Sequence, residues 1–449
     1  MPKYRCKACA HEVEAKFPPF ACPQCKAKGK GFTEATGDAT AAPVTAAVAA
    51  PPVEEPRFVA PPLRAVTAPQ APVAPPAPIA PPRESERIAW RYRLPAAAGE
   101  RPRPLRGCPA FDAEGRLFVA MQNRLLMFAP GSSTPAWEYA TADVIPRSPI
   151  LGGDGHVRVH SSDGFLHVVD VAGAPAFAPV KVGNALGSAV PLVDRDGNAW
   201  ICLYDGGLQR VDARGGTSTR PYFRTRRRFD STGLILGDDL YVGCEDNHLY
   251  AVPLKAASGS NRWADGPGLG RTGCAINGAV ALGPGPTLLV AGQDDLLHAF
   301  GLDGAERWST PLPGQAIGSP IVDEQGNVYL GLAQNSRNRK PSGMLIAVDG
   351  ATHQIKYRYS TESPVESTPV LGDDGSVYFG DNDGVIHAVD THGRKLWDAV
   401  VGAAVRSAGA IFAERRLVFG LDDGGLVVLK CDSKRLCTGG WPKLHGPNL

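Results

Sequence analysis

Ser367-Thr-Pro-Val-Leu-Gly-Asp-Asp-Gly-Ser-Val-Tyr-Phe-Gly380, followed by Gly384-Val-Ile-His-Ala-Val-Asp390 and Gly393-Arg-Lys-Leu-Trp397, contains four short apolar runs punctuated by Asp/Gly turns. Runs of this length, rich in β-branched and aromatic residues and bounded by turn formers, read as four strands of one small antiparallel sheet. The same pattern returns roughly every 45 residues from about Glu86 onward, which marks a repeat architecture. Its second strands are Leu117-Phe-Val-Ala, Val157-Arg-Val-His, Ala199-Trp-Ile-Cys, Leu240-Tyr-Val-Gly, Leu288-Leu-Val-Ala, Val328-Tyr-Leu-Gly, Val377-Tyr-Phe-Gly and Leu417-Val-Phe-Gly, one for each of eight units.

Each unit carries apolar residues on both strand faces, so each sheet must be covered on both sides. Eight sheets stacked around an axis satisfy that demand and leave only short, protected edges. The expected fold is therefore all-β, an eight-bladed propeller of four-stranded blades over residues 86–449. A closed ring needs a seam. Ile88-Ala-Trp-Arg-Tyr92 matches the Trp-bearing fourth strand without three strands of its own, so it is expected to complete the last blade, with Gly440-Trp441-Pro442 as the rival for that place.

The Ala-Val-Asp390-Thr-His-Gly393-Arg-Lys-Leu-Trp397 segment, echoed at Leu302-Asp303-Gly304-Ala-Glu-Arg-Trp308 and Ala347-Val-Asp349, resembles the tryptophan-docking repeat of the PQQ-like propeller superfamily. The resemblance covers roughly residues 86–449. It implies that the Asp and Gly shape a turn while the Trp packs on the adjacent blade; it implies fold and no chemistry by itself. That superfamily includes quinoprotein alcohol dehydrogenases and a non-catalytic propeller lipoprotein of outer-membrane assembly. The dehydrogenases carry an adjacent Cys-Cys pair, a calcium site and a catalytic Asp. Here Cys108, Cys202, Cys244, Cys274, Cys431 and Cys437 are dispersed, so bound PQQ is not expected and the thiols read as buried and reduced.

The chain opens on a different composition. Residues 1–35 hold Cys6-x2-Cys9 and Cys22-x2-Cys25 but hardly any aliphatic side chains. Two such knuckles supply four thiolates, the donor set of a closed tetrahedral zinc site, and a structural Zn2+ can fold a segment that lacks a core. The expectation is a small zinc ribbon, with His11 a solvated bystander. Lys3, Arg5, Lys7, Lys16, Lys26, Lys28 and Lys30 surround it. They offset the zinc–tetrathiolate charge, and nucleic-acid binding is the alternative reading, although few aromatic residues are at hand for stacking. Residues 36–85 are dominated by Ala, Pro and Val and read as a disordered linker that cannot bury a core.

A formal net charge of +2 on 449 residues supplies no global pull toward nucleic acid or anionic membrane. No apolar run approaches the roughly 18 residues a membrane helix needs, and no apolar segment follows the basic N-terminus. A cytoplasmic location is the expectation.

Three further features of the ring have an ordinary structural explanation. Asp194-Arg-Asp-Gly-Asn198, Asp323-Glu-Gln-Gly-Asn327 and Gly372-Asp-Asp-Gly-Ser376 imitate calcium loops but fall at hairpins and lack the bidentate Glu, so they read as turns. His167, His298 and His387 occupy matching third strands of separate units and cannot converge on one ion. Arg224-Thr-Arg-Arg-Arg228, with Arg226, Arg227 and Arg228, precedes a first strand; Arg147, Asp230, Glu366 and Arg406 sit at comparable strand starts, where they can surround the axial opening and grip a peptide or anion. The functional expectation is a non-enzymatic binding platform for a protein partner, with the ribbon as a tethered second contact. The alternatives are a quinoprotein-like oxidoreductase and a nucleic-acid-associated protein acting through the ribbon.

Overall fold

Short β-rich repeats divided by Gly-containing turns leave each sheet too small to stand alone, so burial comes from stacking sheet on sheet. The computed structural model shows that arrangement. It describes residues 86–95, 102–183, 190–264, 268–334, 340–413 and 415–446, with the backbone of the strands Lys3–Cys6, Glu12–Glu14 and Phe32–Glu34. The chain divides into two compact units, Met1–Pro76 and Ala77–Leu449.

In the second unit the described residues form eight antiparallel sheets, which are the eight blades of the propeller. Blade 1 runs through Ala110–Phe111, Leu117–Met121, Arg124–Phe128 and Pro135–Ala140, and blade 7 through Val370–Leu371, Val377–Gly380, Val385–Val389 and Lys395–Val400. The second and third strands are buried almost throughout, whereas fourth strands such as Pro135–Ala140 alternate half-buried and exposed, as outer strands must. First strands of neighbouring blades approach one another around the axis.

Ring closure follows the first of the two expected routes. Ile88–Tyr92 pairs antiparallel with Leu426–Lys430 and becomes the fourth strand of blade 8, so the start and end of the ring share one sheet. Trp441 of the rival segment instead makes an isolated bridge to Val322, on a first strand of blade 6. Two blades depart from four regular strands. Blade 4 has three, and the fourth position is taken by an irregular stretch in which the Arg262 N–H donates to the Ala251 carbonyl. In blade 6, both Gln315–Ala316 and Ile321–Val322 pair with the long second strand Val328–Gln334.

Aromatic side chains on the fourth strands lock each blade to the next. The Trp137 indole N–H donates to the Val171 carbonyl of blade 2 at 3.1 Å, and its ring lies where a Cβ on Gly173 would stand, 2.8 Å from Trp137 Cδ2. Gly173 has φ +89°, so the turn and the docked ring both require glycine there. Trp263 repeats this against Leu302 and Gly304, and Tyr357 lies over Gly393. Trp308 stacks on His353 with centroids 4.3 Å apart.

The calcium-like loops are hairpin turns in which one carboxylate organises its own loop. Asp323, 4% exposed, accepts from the Gln325 and Asn327 backbone N–H groups, from Asn327 Nδ2 and from the Tyr329 hydroxyl. Asp194 does the same with Asn198 and the Trp200 indole N–H. Their lone pairs are committed within the protein.

In the first unit, Lys3–Cys6 pairs antiparallel with both Glu12–Glu14 and Phe32–Glu34. Cys6 therefore ends the central strand of the three. Cys9, Cys22 and Cys25 lie outside the described residues, as does the whole 36–85 linker.

Candidate functional site

Because every pairing in a blade is antiparallel, the loops that enter the first strands and the turns between second and third strands lie at the same end of the blades. Backbone bonds confirm this in blade 3, where the Thr225 N–H donates to the Gly206 carbonyl. The arginine run and the four strand-start residues thus share one face of the ring.

That face is largely neutralised by ion pairs. Arg147 of the blade 2 entry reaches Asp230 of the blade 4 entry at 3.6 Å. Arg406 bridges Glu366 at 3.2 Å and Asp422 at 2.6 Å, donates to Asn382 Oδ1 at 2.8 Å, and shares Asp422 with Arg106 at 3.3 Å. Arg228 pairs with Glu245 and lies over the Tyr204 ring at 4.4 Å. Arg226 and Arg227 are different: both are exposed and neither has an ion-pair partner among the described residues. Tyr204 and Ile317, 38% and 44% exposed, add apolar surface on the same face.

The three strand histidines do not meet. His298 bonds Asp294 and Glu306 within blade 5, and His387 contacts Asp381 at 3.2 Å within blade 7. His167 accepts or donates across a blade boundary to the Tyr139 hydroxyl at 3.1 Å. Among the described residues no group of three or more His, Cys, Asp or Glu side chains is placed to hold a metal ion. The six described cysteines are free thiols, and all but Cys274 are buried. Burial pushes the thiols of Cys202, Cys244 and Cys431 up to about 12, which leaves them protonated and unreactive.

A second feature was not legible in the sequence. The C-terminal stretch from Cys431 to His445 runs along the first strands: Leu436 bridges Gly372, the Cys437 N–H donates to the Leu371 carbonyl, the Leu371 N–H donates to the Pro442 carbonyl, and Trp441 and Val322 exchange both bonds. Inner strands expose an unpaired backbone edge toward the axis, and this strap satisfies it in blades 6 and 7. On the other side of the strap lies a cavity of about 320 Å³, walled by first strands of blades 1 to 4 and by Trp441, Lys443 and His445. Its apolar lining includes Phe111, Ile150, Leu192 and Ile235. No repeat signal marks these C-terminal residues, so only the fold could reveal the site.

Among the described residues no helix is long and apolar enough to cross a membrane. No curated protein sequence matches the chain. The profile of a family described as outer membrane protein assembly factor BamB matches residues 251–339 and 334–436. Among solved structures, BamB from Moraxella catarrhalis is similar at 18% identity, with a TM-score of 0.60 over 77% of this chain and 97% of that one. A computationally designed protein, Ika8, is similar at 13% identity and TM-score 0.60, covering 75% of this chain and 99% of its own. The quinohemoprotein alcohol dehydrogenase from Comamonas testosteroni is similar at 14% identity and TM-score 0.60, over 78% of each chain. These likenesses establish the fold: residues 86–446 form a propeller of the kind shared by the assembly factor and the quinoprotein enzymes.

Proposed function

We propose that the protein is a non-enzymatic binding platform, in which the arginine-bearing face of the ring docks an acidic segment of a partner protein. One observation carries the reading: Arg226 and Arg227 stand exposed and unpaired on a face whose other strand-start charges are satisfied in pairs. Unpaired guanidinium groups beside exposed Tyr204 suit carboxylates flanked by apolar side chains. A matched assembly-factor profile is in keeping with work done through protein contacts. The dispersed, free cysteines and the committed turn carboxylates favour this reading over a quinoprotein oxidoreductase.

The proposal gives the N-terminal unit a structural Zn2+ held by Cys6, Cys9, Cys22 and Cys25, tethered to the ring through the Pro/Ala-rich segment. The Cys6-x2-Cys9 and Cys22-x2-Cys25 spacing supports it, with Cys6 at the end of the paired strand Lys3–Cys6. Nucleic acid is not the favoured partner of this unit. Free thiols throughout the described ring agree with a cytoplasmic, reducing compartment.

Charge reversal tests the docking face. The double substitution R226E/R227E, at exposed positions, is expected to leave the unfolding midpoint unchanged and to lower recovery of the native protein partner at least about tenfold, the loss expected when interfacial charges become repulsive. Undiminished recovery, quantified by mass spectrometry beside the unsubstituted protein, would remove this face from the account.

A further inference from the structure

The axial cavity contains a polar pair that the docking face does not use. Lys443 is 5% exposed, yet among the described residues its Nζ has a single hydrogen bond, to the Leu444 carbonyl at 3.3 Å. No carboxylate lies within ion-pair distance of it among the described residues. The Cys108 thiol acts on it, but burial raises that thiol and keeps it neutral. Beside it, the Nε2 of His445 is sealed from water without any partner. An amine with three donor positions and one acceptor is under-satisfied, and burying such a group is costly unless something completes it.

The rest of the lining decides what that something is. Phe111 lies under the Lys443 amine at 5.9 Å, and the walls continue through Ile150, Leu192 and Ile235. The acids that reach the cavity are already committed: Asp154 to Arg158, and Asp194 to Asn198 and Trp200. They belong to hairpins at the far ends of the first strands from Cys108, so negative charge is disfavoured there and wanted at the lysine. Few convergent polar groups in an apolar cavity are the usual form of a small-molecule site.

We propose that this cavity binds a small amphipathic monocarboxylate, its carboxylate seated on Lys443 Nζ and His445 and its apolar body lying along the first strands of blades 1 to 4. The site goes beyond the docking face and stands independently of it. Burial disfavours the charged form of the Lys443 amine, and an arriving carboxylate favours it.

Octanoate is the probe, with octanol as its uncharged counterpart, both titrated calorimetrically into the full chain. The expected result is binding of octanoate at least about tenfold tighter than octanol, the worth of one charge-assisted bond. Lys443→Met should bring octanoate down to the octanol level. Equal affinities for the two probes, or no binding of octanoate, would each overturn the proposal. The comparison of the two probes uses the unsubstituted protein, so it holds even if K443M does not fold.

Discussion

A chain that begins at Arg93 is expected not to form a stable monomeric ring. The strand it lacks, Ile88–Tyr92, is the outer strand of the last blade, but its contacts reach three blades. Trp90 and Tyr92 lie against Phe128 of blade 1, with centroids 5.4 and 5.1 Å away. Arg91 donates to the Val401 carbonyl at 2.8 Å, and the Arg87 guanidinium covers the Trp397 ring of blade 7 at 4.4 Å. Removing the strand also bares the edge of Leu426–Lys430, four of whose five residues are buried. Loss of an aromatic side chain from a packed site costs about 3–5 kcal/mol, and whole domains are stable by only about 5–15 kcal/mol. The truncated chain should therefore aggregate or populate open forms, and a peptide of residues 86–93 added in trans should restore cooperative unfolding. The single change Trp90→Ala, at a half-buried site, is expected to cost about 2–4 kcal/mol in urea titration. An unchanged midpoint for the truncated chain would mean that the ring does not close through this strand.

The second large effect is acid lability. His160, 2% exposed, has neither ring nitrogen hydrogen-bonded. Burial lowers its pKa from 6.5 to about 4, with Asp163 opposing and His167 and Lys181 adding to the fall. In the unfolded chain the imidazole takes its proton near pH 6.5, whereas in the ring it waits until about 4. Between those values the unfolded state binds more protons, so stability drops as pH falls through that window. A gap of this size corresponds to about 3 kcal/mol for one side chain. His445, lowered to about 3 by burial and then by Lys443, acts in the same direction. Urea midpoints at pH 7.5 and 4.5 are expected to differ clearly in the unsubstituted protein and by less in His160→Leu, which has no proton to take up. Identical pH sensitivity in H160L would show that His160 is not buried and neutral as described.

How far the sequence led depends on which interactions carry each feature. The eight second strands fall where the apolar runs put them because a period-2 run between Asp/Gly turns has few other ways to bury both faces. The seam was legible because Ile88–Tyr92 is a recognisable fourth strand without a blade of its own. The tryptophan positions were legible too, since a Gly at positive φ in one blade and an aromatic residue in the preceding one leave matching marks. Ion pairs between blades were not. Arg147 and Asp230 are separated by two whole blades in sequence, and only ring geometry brings them together. The strap escaped notice for another reason: its bonds to Leu371, Gly372 and Val322 are made by backbone groups, which any sequence carries. For the same reason Lys443 looks, in sequence, like an ordinary exposed lysine.

Site-specific photo-crosslinking in the native cell tests the central claim most directly, with the photoreactive residue placed at Arg227 on the arginine face or at exposed His392 in a turn at the opposite end of blade 7. The account predicts a discrete protein adduct from position 227, identified by mass spectrometry, and none of the same mass from position 392. Equal adducts from both positions, or no protein adduct from 227, would contradict a platform that docks its partner through this face of the ring.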